Sequence, residues 1–265
     1  MSDLSYNVGM DSDSSDESGG DRSRLKQTFT GWFENSRSTI FFGGAGVSVA
    51  SGIPDFRSNH GIYAADESAE TMLSIDYMMR EPARFWPFYR RIFMAPNNGP
   101  NAVHIALAQM EQAGSLSAVI TQNIDGLHQQ AGSRKVLELH GTGQSFSCLA
   151  CLALYTFAEV LQMAEVPRCP ACGGRLRPDI VLYGEGLDEN VVDESLRLIR
   201  YADLILVAGT SLVVYPAAGF LSAKRADAKL VIMNRQPTAY DRTADLCLAG
   251  DLVETFAWLG LSANG

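Results

Sequence analysis

The sequence predicts an α/β fold, a Rossmann-like parallel sheet with helices on both faces and a smaller domain folded beside it. Three observations predict it. Short apolar runs at residues 39–42, 118–121, 136–139, 180–183, 204–208 and 230–233 carry almost no polar residue, as strands buried on both faces do. Stretches of helical periodicity at 102–113, 189–200 and 217–224 separate many of these runs, and that alternation is the pattern of parallel βαβ units. Two regions, 57–100 and 144–179, break the alternation. The first reads as mostly helical, and the second holds four of the five cysteines.

Residues 1–24 carry six acids, seven serines and almost no apolar content. Such a segment does not bury enough surface to offset its ordering entropy, so it is expected to be a disordered, solubilising tail. From Leu25 the pattern changes: Leu25, Phe29, Trp32 and Phe33 recur at helical spacing and predict an amphipathic helix. The expected division is therefore a tail at 1–24, a large domain from 25–56, 101–143 and 180–265, and a small domain from 57–100 and 144–179. The 46% hydrophobic and 19% charged composition belongs to a globular chain. A net charge of −9 disfavours a chain built to hold nucleic-acid phosphates. No apolar run approaches the roughly 20 residues that span a bilayer, and the acidic, serine-rich start is unlike a secretory signal. The expected compartment is the cytoplasm.

The run Gly43-Gly44-Ala45-Gly46-Val47-Ser48-Val49-Ala50-Ser51-Gly52-Ile53-Pro54-Asp55-Phe56-Arg57 follows the apolar strand at 39–42. Glycines there let a backbone approach a pyrophosphate, whose charge is favoured by exposed amides at a helix start. As a GxGxxG pattern it is imperfect. Gly44 and Gly46 fit, the third position is Val49, and a tight turn with no ligand explains the glycines equally well. Thr121-Gln122-Asn123-Ile124-Asp125-Gly126-Leu127-His128 follows the run at 118–121, and Glu138-Leu139-His140-Gly141 closes the run at 136–139. Amide and acid side chains at a strand's carboxyl end sit where open α/β sheets bind ligands, although Asn123 and Asp125 also suit a turn before Gly126.

The cysteine pairs Cys148–Cys151 and Cys169–Cys172 are two CxxC knuckles with 17 intervening residues. Each knuckle sets two thiolates on one edge of a metal, and two knuckles complete a zinc tetrahedron with no position left for water. The zinc is expected to be structural. Cys247, in the apolar run 246–249, reads as a core residue.

Taken together, GAGVSVASGIPDFRS, TQNIDGLH, ELHG, GTSL at 209–212 and VIMN at 231–234, in that order, resemble the signatures of the sirtuin family. The resemblance runs from about Ser38 to Leu252. It implies an enzyme that consumes NAD to remove the acetyl group from lysine, releasing nicotinamide, O-acetyl-ADP-ribose and free lysine. It implies acetyl-lysine proteins or peptides as partners, with no direct nucleic acid and no membrane, and it puts the zinc module in the small domain.

The resemblance also implies roles for particular residues. The cofactor-binding set would comprise Gly44, Ala45, Gly46, Ser48, Val49, Asp55, Phe56 and Arg57 from the first loop. Gln122, Asn123, Ile124 and Asp125 would serve the nicotinamide half, Gly209, Thr210 and Ser211 the pyrophosphate, and Asn234 and Arg235 the adenosine ribose. His140 would act as the catalytic base on a ribose hydroxyl, with Asn123 beside it. A peptide would bind by strand addition to Val181, Leu182, Tyr183 and Gly184 on one side and to Val213, Val214 and Tyr215 on the other, unless 180–183 is simply a core strand. Relatives that favour acidic acyl groups carry Tyr-x-x-Arg in the small-domain helix. Here Tyr89 is followed by Ile92 at the arginine position, which favours short neutral acyl groups. Two other readings stay open: a protein mono-ADP-ribosyltransferase on the same scaffold, and a non-catalytic NAD-sensing or zinc-dependent interaction module.

Overall fold

The computed structural model describes residues 7–8, 17–56, 58, 61–65 and 68–261. Its strands are β1 (Asn7–Val8), β2 (Thr39–Gly43), β3 (Ala118–Thr121), β4 (Val136–Glu138), β5 (Gly141–Cys148), β6 (Leu154–Thr156), β7 (Leu176–Ile180), β8 (Leu204–Ala208), β9 (Lys229–Asn234) and β10 (Leu246–Ala249). Seven of them form one sheet in the order β1-β10-β9-β8-β2-β3-β4, and every pairing in it is parallel. Successive strands leave β2 in one direction through β3 and β4, then resume on its other side with β8, β9 and β10. The switch point of this doubly wound sheet therefore lies between β2 and β8, where such folds open a crevice at the strands' carboxyl ends.

The apolar runs form strands because both of their faces are covered. Alternate residues point to opposite sides. Phe41, Val119, Leu206, Val231 and Leu248 pack in one core with the helices Glu17–Asn35, Ala102–Gln112 and Leu252–Leu259. Ile40, Phe42, Ile120, Ile205, Val207 and Ile232 pack in a second core with the helix Glu189–Tyr201 and the 3₁₀ segment Ala217–Ala223. Each such side chain taken fully from water contributes roughly 1.5–3 kcal/mol, and these two cores fix the topology.

A third core gathers Phe85, Trp86, Tyr89, Phe146, Cys148, Val160, Cys169 and Leu176. Phe85, Trp86 and Tyr89 come from the helix Pro82–Phe93, and most of the others from the antiparallel sheet β6-β5-β7 with its short helix Phe157–Leu161. The two stretches that break the alternation thus share one interior. Arg90 ties them further: its guanidinium donates to the carbonyls of Val160 and Ala164 at 2.9 Å and of Glu165 at 3.1 Å. A cation there satisfies carbonyls that the end of a helix leaves open.

Three sequence expectations change. The amino-terminal helix starts at Glu17, so the stretch 17–24 expected to be disordered is helical, and Asn7–Val8 adds an edge strand beside β10. Arg22 lies 5.1 Å over the ring of Trp258, which gives the polar turn a contact that local composition does not reveal. Residues 1–6 and 9–16 lie outside the described residues. The run expected as a strand at 180–183 is displaced: β7 ends at Ile180 and pairs with β5 in the small sheet, so 181–183 never enters the parallel one. Finally, 217–223 is 3₁₀ and not α-helical.

The switch point depends on glycine. Gly46 donates its N–H to the Gly209 carbonyl at 2.8 Å. Gly209 has φ +62°, and a Cβ on it would stand 2.5 Å from the Val47 nitrogen. Gly209→Ala adds both strain and a backbone clash, expected to cost about 2 kcal/mol or more. Thermal denaturation should register a fall in Tm of roughly 4–8 °C; an unchanged Tm would show that the two loops part freely.

Candidate active site

The loop after β2 and the loop after β8 meet at the switch point. The first is the 3₁₀ segment Ala45–Ser51, preceded by extended Gly44 and closed by left-handed Gly52. Several of its amides are already engaged: Gly44 N–H on Ala208 at 3.2 Å, Gly46 N–H on Gly209, and Val47 N–H on Gly44 at 3.0 Å. The amides of Ala45 and, across the switch point, Ser211 keep no protein partner among the described residues. They are the donors free for an anion. The second loop is braced from β9. Asn234 accepts the Thr210 N–H at 3.1 Å and donates to the Thr210 carbonyl at 2.8 Å. Leu212 there also takes a left-handed φ of +53°, a strained state that needs surrounding structure to persist.

The carboxyl end of β3 supplies the polar centre. Ser48 Oγ donates to Asp125 Oδ2 at 2.6 Å and accepts from Asn123 Nδ2 at 3.0 Å. The carboxylate only accepts, so the serine proton is committed to it and the asparagine must present nitrogen. Asp125 Oδ1 caps the next turn by accepting the Leu127 N–H at 2.9 Å. Gln122 Nε2 donates to Thr210 Oγ1 at 2.9 Å, linking the β3 and β8 loops.

His140 follows β4, half-buried, with Nδ1 2.9 Å from the Gln122 carbonyl. A carbonyl cannot donate, so Nδ1 carries the hydrogen and Nε2 holds the lone pair when the ring is neutral. Burial pushes the imidazole below the ordinary histidine pKa, against a weaker upward pull from the Gln122 carbonyl. The result is a neutral ring of fixed tautomer, the form a general base needs. Two other histidines are closed to such a role. His104 and His128 pack edge to face with centroids 4.7 Å apart, fully buried, and burial pushes them down to about 4 and about 3.

The four cysteines converge. Their sulfurs all lie within 4.8 Å of one another, with Cys148–Cys172 at 3.5 Å and Cys151–Cys169 at 3.6 Å. Zinc–sulfur bonds of about 2.3 Å require sulfurs about 3.8 Å apart. A Cβ on Gly174 would fall 2.8 Å from Cys148 Sγ, so glycine leaves room for the sulfur cradle. The Ala150 and Gly174 amides each point at a sulfur at 3.4 Å, as thiolate ligands favour. The site fits structural zinc.

A family model described as Sir2 family matches residues 44–216. A protein named NAD-dependent protein deacetylase from Cutibacterium acnes is 49% identical over 230 residues, 85% of this chain and 93% of the relative. The chain belongs to the Sir2 family. A Sir2 structure with deacetylated p53 peptide and 3′-O-acetyl ADP-ribose superposes with a TM-score of 0.84 at 39% identity, covering 89% of this chain and 99% of that one. A Sir2–p53 peptide–NAD+ complex gives 0.78 at 39% identity with the same coverage.

Within this Sir2 fold the remaining expected residues divide. Asp55 accepts the Ser58 N–H at 2.8 Å, and Phe56 packs on Tyr63 and Phe93 with centroids at 5.6 and 6.3 Å. Val49 is exposed, Ile124 joins the third core, and Arg57 lies outside the described residues. Arg235 turns to Asp251, 2.6 Å away. Along 181–184, three of the four amides are already engaged. Val181 N–H donates to the His140 carbonyl at 2.8 Å, Leu182 N–H to Glu185 Oε2 at 2.9 Å, and Tyr183 N–H to the Leu73 carbonyl at 3.0 Å. Val213 and Tyr215, by contrast, are exposed. A cleft of about 660 Å³ on the outer flank of β4 is lined by Leu139, Gly141, Val181 and Glu185 and by no residue of the loops after β2 and β8. Tyr89 lies fully inside the third core, its hydroxyl without a hydrogen-bond partner among the described residues. The sequence pattern singles out neither Gln144, which donates to the Asp125 carbonyl at 2.9 Å, nor Asn101; Asn101 before a helical run signals a cap but not its reach.

Removing zinc with a strong chelator is expected to collapse β5–β7 and to lose activity together with that fold, because the sulfur tetrad leaves no open position for chemistry. Circular dichroism and metal analysis on the same sample check this; activity that returns on metal-free refolding would contradict it.

Proposed function

We propose that this chain is an NAD-dependent protein-lysine deacetylase, converting NAD and acetyl-lysine to nicotinamide, O-acetyl-ADP-ribose and free lysine. The observation that carries the reading is His140, a half-buried imidazole whose Nδ1 is fixed on Gln122 so that Nε2 is free to take a proton. The C. acnes relative named as such a deacetylase supports it. So does the likeness to a Sir2 complex with peptide and NAD+.

NAD, when bound, supplies an electrophilic ribose carbon and a nicotinamide leaving group. The switch-point loops of Gly44–Ser48 and Gly209–Ser211 would hold the pyrophosphate on the free amides of Ala45 and Ser211. Asn123 spends its nitrogen on Ser48, and its remaining carbonyl oxygen suits the N–H of a carboxamide. Asp125, already receiving the Ser48 proton, keeps that pair in place. His140 Nε2 would accept a proton from a ribose hydroxyl. Phe56 would cover the reacting face, with Arg57 ordering the loop beside it. Asn234 would act on the ribose end through the Thr210 loop it braces, with Arg235 next to it. Acetyl-lysine peptides would lie along Val213, Val214 and Tyr215 on one side and Val181, Leu182, Tyr183 and Gly184 on the other. The absence of an arginine at Ile92, and the use of Arg90 on the carbonyls of the zinc unit, support short neutral acyl groups.

We divide the chain functionally into a nucleotide-binding unit, 25–56, 101–143 and 180–265, and a smaller unit, 57–100 and 144–179. The charge of −9 speaks against nucleic acid as a direct partner. Among the described residues no helix is long and apolar enough to cross a membrane. The thiol tetrad suits a reducing compartment, and the cytoplasm is the location proposed.

Wild type and His140→Ala, given NAD and an acetyl-lysine peptide, should differ in deacetylated product by about 10²–10⁴-fold. Because the imidazole titrates below the ordinary value near 6.5, wild-type kcat/KM should hold down to about that pH and fall only in more acid solution, as Nε2 becomes protonated. Equal product from the two proteins would sink the reading, and nicotinamide release independent of an acetyl group would favour ADP-ribosyl transfer to protein.

A further inference from the structure

Asn101 stands outside the signature motifs, at the cap of the helix Ala102–Gln112. Its side chain does three things at once. Oδ1 accepts the Val103 N–H at 2.9 Å, the ordinary task of a helix cap. Nδ2 donates to the Val47 carbonyl at 2.8 Å and to Ser51 Oγ at 3.0 Å, both in the nucleotide loop. The amide cannot be turned the other way round. A flip would set its nitrogen against the Val103 N–H and its oxygen against the Val47 carbonyl, opposing like with like.

The placement matters because of what lies on either side. The helix behind Asn101 is anchored by Val103, Ala106, Leu107 and Met110 in the first core. The loop in front carries Ser48, whose hydroxyl sits between Asn123 and Asp125. The sheet holds the start of this loop through Gly44 on Ala208 and Gly46 on Gly209. Its far end is held by the segment before the helix, where Asn98 N–H donates to the Ser51 carbonyl at 2.9 Å and Asn101 takes Val47 and Ser51. Val47 and Ser51 bracket Ser48, so fixing them fixes the serine.

We infer that Asn101 is a positioning residue for the dinucleotide: it carries the rigidity of the helix Ala102–Gln112 into the loop Val47–Ser51 and thereby sets Ser48 against Asn123 and Asp125. The inference rests on the deacetylase reading for its ligand, and it adds a residue that never touches that ligand. Loss of two hydrogen bonds that pre-form the site should weaken the nucleotide and leave the peptide alone.

Asn101→Ser and Asn101→Asp test this. Serine and aspartate both cap helices well, so Tm of Asn101→Ser should stay close to that of wild type, whereas Asn101→Asp also sets an oxygen against the Val47 carbonyl and should lower Tm. Neither donates to the Val47 carbonyl as the amide does. Titration calorimetry with NAD should show the dissociation constant rising about ten-fold in both variants, with KM for the acetyl peptide unmoved. Ser51→Ala removes a single partner and should give a smaller rise, adding nothing further when combined with Asn101→Ser. Unchanged NAD affinity in both Asn101 variants overturns the assignment, as does an equal loss of peptide affinity. Wild type that binds NAD yet makes no deacetylated peptide would refute the deacetylase reading instead, and the calorimetric comparison would still decide the role of Asn101.

Discussion

Between β2 and β8 two backbones approach so closely that neither tolerates an added carbon. Gly46 donates to Gly209 at 2.8 Å, and a Cβ on Gly46 would lie 2.7 Å from the Gly209 Cα. Side chains elsewhere keep neighbouring loops apart. Here their absence brings the carboxyl ends of the two halves of the sheet together. The free amides of Ala45 and Ser211 come to one place because of that contact, and so does the bond from Gln122 to Thr210. Much of the site's geometry follows from this approach.

From the switch point a connected set of polar contacts reaches His140. Asn234 braces Thr210, Thr210 receives Gln122, and the Gln122 carbonyl orients His140. A second route runs from the helix cap at Asn101 through Val47 and Ser48 to Asn123 and Asp125. In a partly dry cleft each contact is worth more than in water, and each also fixes a direction. Pre-organisation of this kind lets a neutral imidazole wait with one nitrogen committed and the other free.

The smaller unit has a different physical basis. Its aromatic core is modest, and the sulfur tetrad with the Arg90 guanidinium does much of the joining. Small units with limited cores commonly rely on such staples. Segment 181–185 then leads from this unit back to His140, so the four-cysteine part and the His140 ring share a boundary. Val181 donates to the His140 carbonyl across it.

Much of this was legible in the sequence. The parallel sheet could be read from apolar runs covered on both faces, and the zinc site from two CxxC pairs, because both signals are local and periodic. His140 stood out only by resemblance, since a lone strand-end histidine has no spacing of its own. The fate of 180–183, an apolar run that stops short of the main sheet, was hidden because a run of that kind looks the same in either sheet. The amino-terminal helix starts at Glu17, and its Arg22 meets Trp258, a contact far along the chain that composition does not show. Asn101 stands just before a helical run, and only folding brought Val47 and Ser51 within its reach. Composition and period determine which segments become strands and helices. Which distant atoms end within 3 Å of one another depends on how those elements pack, and that is decided only when the whole chain closes.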